Sequence, residues 1–416
     1  MEESIKELGK KREQRVKDVI ALKVPDRVPF IPFFSFFPAF YAGITAQEAM
    51  YDYDKACEAW KKTILDFDPD MYVGPAIFRS GPVLEALGCR QLRWPGHGLA
   101  PHTTYQFVER EYMPAEEYDE FIENPSDWLL MRYIPRIFGE LEAFSKLPGL
   151  LDQFFYYGAP SAGLATMGTP EVQEAFQAML KAARESHKYV TRLMGFTKEM
   201  SDYGYSPIFQ VATYAPMDLI GDNFRGTRGV LTDMFRRPEK LLRAIDVATR
   251  LTIHMAVRRS AVGNIPIVFI PLHKGAEGMM SNEQFKRFYW PSLRDLINGI
   301  VEAGFVPWVY TEGGYTSRLE IIRDVPKGKV IFHFESVDMA KAKEILGDVA
   351  CISGNVPISL LNLGTPEDVR AYCKVLIKTA GRDGGFIMDA ATSIDEANPQ
   401  NIRAMADATR EFGIYG

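Results

Sequence analysis

Several apolar runs in this chain end on side chains able to bind a metal or move a proton. One reads Phe305-Val-Pro-Trp-Val-Tyr-Thr-Glu-Gly-Gly314, where Glu312 and a glycine pair close a run of large apolar residues. Similar runs deliver His273, then His333 with Glu335, then Asn355 and Asp389, and Cys351 lies inside the run that ends at Asn355. A soft sulfur donor, imidazoles and carboxylates brought to one edge are the ingredients of a metal site and an acid–base catalyst. Each has a plainer alternative. Glu312 is able to form a structural ion pair, and a buried cysteine such as Cys351 is often only core. His97, His102, His187 and His254 lack partners at metal-ligand spacing.

Residues at the ends of apolar runs meet when those runs are parallel strands whose C-terminal ends share one rim. The pattern predicts strands at 28–34, 70–73, 208–213, 265–272, 306–310, 330–334, 350–353 and 385–388. Helices are expected over 1–22, 53–67, 170–194, 282–303, 316–323, 339–346, 366–379 and 399–412. Their starts are marked by a capping box at Ser281-Asn-Glu-Gln284 and by Thr-Pro-Glu at 169–171 and 365–367. Eight strands alternating with helices predict a single α/β domain, a (β/α)8 TIM barrel over 1–416, with an insertion at about 80–205 between strands two and three.

The composition excludes several classes. In 416 residues, 47% are hydrophobic and 25% charged, the balance of a globular protein, and the net charge of -6 argues against nucleic acid or an anionic membrane as partner. Four cysteines show no CxxC pair, and the charged N-terminal segment has no apolar signal core, so a cytoplasmic protein is expected. Neither a Gly-x-Gly-x-x-Gly after a strand nor a nucleoside triphosphate loop occurs.

Several segments resemble the uroporphyrinogen decarboxylase superfamily. They include Arg27-Val-Pro, Tyr214-Ala-Pro-Met, Ser336-Val-Asp-Met-Ala-Lys-Ala-Lys, Gly354-Asn-Val-Pro, Leu363-Gly-Thr-Pro-Glu-Asp-Val and Asn398-Pro-Gln-Asn-Ile-Arg-Ala-Met. The resemblance implies a barrel with its site at the C-terminal rim, and either a decarboxylase or a zinc-dependent, corrinoid-linked methyltransferase. A porphyrinogen decarboxylase needs arginines near the first strand, and Phe30-Ile-Pro-Phe-Phe-Ser-Phe-Phe-Pro-Ala-Phe-Tyr41 offers aromatic rings instead. The decarboxylases also use an Asp after the second strand, where this chain has Val73-Gly-Pro-Ala-Ile. The thiol-methylating branch holds zinc with His-x-Cys and a later Cys, where this chain has Tyr310, Glu312 and Ala390. The nearest three-ligand set is His273, Glu312 and Cys351, a harder site suited to polarising an ether oxygen.

The expectation is therefore demethylation of a small methylated compound, an aryl methyl ether above others. The methyl group would pass to the cobalamin of a separate corrinoid protein. Tyr310, Asp389 and Asn355 are the expected catalytic residues, with Phe34, Phe37, Tyr214 and His333 against the substrate. His333 and Glu335 form a reserve ligand pair. A homodimer accords with the family resemblance. The alternatives are a metal-free decarboxylase, a methylcobamide:thiol methyltransferase, and a non-catalytic corrinoid-binding protein.

Overall fold

The computed structural model describes residues 4–150, 152, 161–209, 211–259 and 267–416. Three short strands, β1 (Leu92–Pro95), β2 (Gly98–Leu99) and β3 (Gln106–Phe107), form a small sheet in the order β2-β1-β3. Six more are parallel and neighbour one another in chain order. They are β4 (Val211–Ala212), β5 (Ile267–Leu272), β6 (Val306–Gly314), β7 (Ile331–Ser336), β8 (Cys351–Ser353) and β9 (Phe386–Ile387). Apolar residues fill β5 to β7 because both faces of a parallel sheet are covered.

Backbone bridges close this sheet on itself. Ile31 N–H donates to Met388 O at 3.0 Å, and Asp70 N–H donates to Phe30 O at 2.8 Å. Ile208 N–H donates to Tyr72 O at 2.8 Å, with a parallel bridge at Tyr72–Pro207. The first two expected strands thus take their places between β9 and β4, and the protein is a (β/α)8 barrel. Residues 1–3, 151, 153–160, Gln210, and Ile265 and Pro266 of the expected fourth strand lie outside the described residues.

Caps set the helix starts. Met339–Leu346, Pro366–Thr379 and Pro399–Phe412 span the expected residues, with Asp338, Thr365 and Asn398 accepting first-turn N–H groups. The capping box at Ser281 forms, although the helix it opens passes through a π-helical stretch, Phe285–Tyr289, before Trp290–Glu302. Thr169 precedes a helix longer than expected, Pro170–Asp202, but its hydroxyl donates to Thr166 O at 2.9 Å and caps nothing.

The insertion packs on the barrel through aromatic contacts, with Trp128 and Tyr133 each 4.9 Å from Phe224 between ring centroids. Inside the barrel the strand register stacks side chains in layers. Phe269, Trp308, Ile331 and Cys351 are neighbours in one level, and Tyr310, His333 and Ser353 in the next. Phe33 reaches in from the first strand, 5.3 Å from Phe269 and 5.1 Å from Tyr310 between ring centroids.

Candidate active site at the strand ends

The pairing of Leu272 with Thr311 puts the next residue of each strand, His273 and Glu312, side by side on the rim. His273 Nε2 lies 3.7 Å from Glu312 Oε1. After β4 the chain runs through Pro216–Asp218 into a π-helical turn, Leu219–Arg225, which brings Asp218 and Asp222 under the histidine. Asp222 Oδ2 is 2.5 Å from His273 Nδ1, and its other oxygen is 2.9 Å from Lys274 Nζ. Asp218 is fully buried and holds the strand end in place. Its Oδ2 accepts from His273 N at 2.8 Å and from the Tyr289 hydroxyl at 2.6 Å, and its Oδ1 accepts from Lys274 N at 2.9 Å.

These contacts fix the charges. Burial alone would lower the pKa of His273, but hydrogen bonds to Asp222 and Glu312 and the charge of Asp218 raise it to about 11. Burial, helped by the charge of Asp222, pushes Asp218 up to about 6. Asp222 stays below the usual carboxylate range because His273 and Lys274 outweigh its own burial. Gly313 makes the turn after Glu312 at φ +83°, a conformation that favours glycine, and its N–H donates to Glu335 Oε2 at 2.5 Å.

Among the described residues, Asp218, Asp222 and His273 offer ligand atoms all within 4.8 Å of one another. Every oxygen of the two aspartates already faces an N–H, O–H or ammonium donor. The donors turned toward solvent are His273 Nε2 and Glu312, whose side chain is 46% exposed. An Asp222 carboxylate behind Nδ1 is the usual way a protein orients a metal-binding imidazole.

One level down lies a buried, neutral cluster. The ring of Tyr310 stacks flat on His333, with centroids 3.8 Å apart. His333 Nε2 is 3.1 Å from Ala391 O, which can only accept, so Nε2 bears the proton and Nδ1 accepts. Nδ1 faces Ser353 Oγ at 3.1 Å and Asp389 Oδ2 at 3.3 Å. Burial lowers His333 to about 3 and raises Asp389 well above the carboxylate range. Asp389 Oδ2 is buried without a hydrogen-bond partner among the described residues, which accords with its raised pKa. Its Oδ1 accepts from Phe33 N at 2.9 Å and Ala390 N at 2.7 Å. The Tyr310 hydroxyl is buried without a hydrogen-bond partner among the described residues.

The remaining expected residues fall elsewhere. Cys351 does not join His273 and Glu312. It opens β8 and pairs with Ile331, four residues or roughly 13 Å of strand below Asn355. Burial pushes its thiol up to about 12. Phe34 and Phe37 are not brought to the rim either. They stack on each other and pack against Phe67, between the barrel wall and the helix Tyr53–Phe67. Phe33 is the ring of that segment that points inward. Asn355 donates to Val337 O at 2.9 Å and lines, with Glu335, Tyr372 and Thr392, a rim cleft of about 550 Å³. Tyr214 is half-buried after β4. Asp218 and Asp222 were not expected from the sequence, although two acids four apart after a strand end are the signal that would have found them.

The uroporphyrinogen decarboxylase (URO-D) family model matches residues 204–412. The uroporphyrinogen decarboxylase of Syntrophotalea carbinolica is 23% identical over 181 residues, 43% of this chain and 51% of that protein. That of Psychromonas ingrahamii is 25% identical over 142 residues, 33% of this chain and 39% of that protein. The chain thus spans about half or less of these curated relatives. A solved methyltransferase from Methanosarcina mazei superposes over 99% of both chains, with a TM-score of 0.63 and 14% identity, and so has the same fold. Among the described residues no helix is long and apolar enough to cross a membrane.

Proposed function

The chain belongs to the uroporphyrinogen decarboxylase family, and from that premise we propose that it is a methyltransferase. It removes the methyl group of a small methylated compound, most favourably an aryl methyl ether, and passes it to the cobalamin of a separate corrinoid protein. The observation that carries this reading is the solvent-facing pair of His273 Nε2 and Glu312 Oε1, 3.7 Å apart, with Asp222 behind the imidazole. Both donors are of the kind zinc takes, and they supply two of its ligands. Around a tetrahedral zinc, N and O ligands sit roughly 3.3 Å apart, close to the separation found.

His273 and Glu312 would hold the metal, and Asp222 would keep the ring in the tautomer that leaves Nε2 free. Bound there, zinc supplies Lewis-acid polarisation of the ether oxygen. When the C–O bond breaks, its electron pair stays with the oxygen of the product. Because both donors are N or O, the site suits oxygen activation better than thiol activation. On this reading the insertion at about 80–205 would shape the substrate pocket or the surface on which the corrinoid protein docks.

The reading is tested by following methyl transfer from methoxylated aromatics to cob(I)alamin in the presence of zinc. Turnover by the wild type, lost in Glu312→Ala, supports it, and absence of turnover with every O-methyl donor removes it. A second reading is a decarboxylase without metal, which the curated relatives' names favour. Carbon dioxide release from a metal-free enzyme would bring that reading forward.

A further inference from the structure

The segment after the second barrel strand ends on an arginine that has no carboxylate partner among the described residues. Arg79 follows the short 3-10 helix Pro75–Phe78 and adopts φ +61°, ψ 164°, a backbone region that L side chains rarely enter. Its side chain is exposed, and it forms no ion pair among the described residues. Other arginines, such as Arg192 and Arg132, do find carboxylates, Asp54 at 2.6 Å and Glu120 at 3.1 Å. Tyrosines surround Arg79 instead. Its guanidinium carbon lies over the Tyr105 ring, 4.8 Å from the centroid. The hydroxyls of Tyr105 and Tyr189 donate to Ile77 O and Ala76 O, each at 3.3 Å, so both rings are tied to the turn that carries Arg79. Tyr214, within electrostatic range of the guanidinium, stands four residues before Asp218 on the chain that leads to His273.

We infer that Arg79 is the anchor for a carboxylate on the substrate. On the reading proposed above, the substrate class narrows to aryl methyl ethers that carry a carboxylate, the methoxybenzoates. A planar guanidinium matches a carboxylate with two parallel hydrogen bonds. Tyrosine rings supply flat apolar faces for the aromatic ring, and Tyr105 holds the guanidinium without neutralising it. The strained backbone at Arg79 is where such a site aims its key side chain. The first-strand segment, which has no arginine after Arg27, leaves this role open.

Calorimetric binding of 4-methoxybenzoate and of methoxybenzene to the full chain tests this directly, without turnover. The wild type should prefer 4-methoxybenzoate. Arg79→Gln should weaken 4-methoxybenzoate roughly 10- to 100-fold while leaving methoxybenzene unchanged. Arg79→Lys should fall between, because one point charge replaces a fork. Equal loss for both probes would mean a structural role and overturn the inference. So would Arg79→Gln binding 4-methoxybenzoate within about twofold of the wild type, or a wild type that binds no 4-methoxybenzoate. Selective, Arg79-dependent binding without methyl transfer would uphold the anchor and remove the methyltransferase reading instead.

Discussion

Two histidines one layer apart have opposite protonation states. His273 on the rim is raised to about 11, and His333 beneath it is lowered to about 3. Both are surrounded by acids and tyrosines, so residue type does not separate them. Exposure and partners do. His273 meets the carboxylates of Asp222 and Glu312 at a partly exposed rim, whereas His333 lies fully buried between Tyr310, Ser353 and Asp389. The rim keeps its charges, and His273 must release its Nε2 proton before that nitrogen can bind a metal. The buried layer gives up its charges and fixes the barrel.

The comparison breaks first at the rim. Replacing His273 or Glu312 with Ala should remove zinc from the purified protein and lower methyl transfer by more than about 100-fold. Metal analysis beside the cob(I)alamin assay reads both, and retained zinc in either variant would detach the site from these residues. Asp222→Asn keeps the shape but removes the charge behind Nδ1. It should weaken zinc binding roughly 10- to 100-fold, measured by competition with a chelator, without unfolding the chain.

In the buried layer the effects should appear in stability. Asp389→Ala leaves the buried N–H groups of Phe33 and Ala390 without their acceptor and should cost roughly 2–4 kcal/mol by denaturant titration. Asp389→Asn should cost less than about 1 kcal/mol at neutral pH, because the native acid is already uncharged there. A large loss in Asp389→Asn would show that the carboxylate is ionised in the fold.

Acid titration separates the layers by sign. For His333 the folded pKa lies below the unfolded value, so its contribution is present above about pH 6.5 and is lost as pH falls toward about 3. For metal-free His273 the folded pKa is raised, so its contribution is present below about pH 6.5 and is lost as pH rises toward about 11. Melting curves of His333→Gln and His273→Gln across pH should therefore differ from wild type at opposite ends. The smallest effect belongs to Cys351→Ala, which should cost roughly 1 kcal/mol and leave the zinc content intact.

Much of the barrel is legible in the sequence because a buried parallel strand writes itself as an apolar run, and caps at Asp338, Thr365 and Asn398 mark where helices begin. The first strand resists because Pro29 and Pro32 interrupt it, leaving bridges only at Phe30 and Phe34. Strict alternation fails there, and Phe33 turns inward in place of Phe34 and Phe37. Depth is also hidden. Cys351 opens β8 and Asn355 lies beyond its end, so a place in one run of sequence does not put them at one depth. The aspartates under His273 escape because a π-helical turn, which no simple period signals, carries Asp222 into position.

X-ray absorption at the zinc edge of the zinc-loaded chain tests the central claim most directly. A site built on His273 and Glu312 predicts about one zinc per chain with only N and O neighbours, near about 2.0–2.2 Å. A sulfur neighbour at about 2.3 Å would place Cys351 at the metal and contradict the separation of rim from core drawn here. Failure to take up zinc at all would contradict the metal site itself.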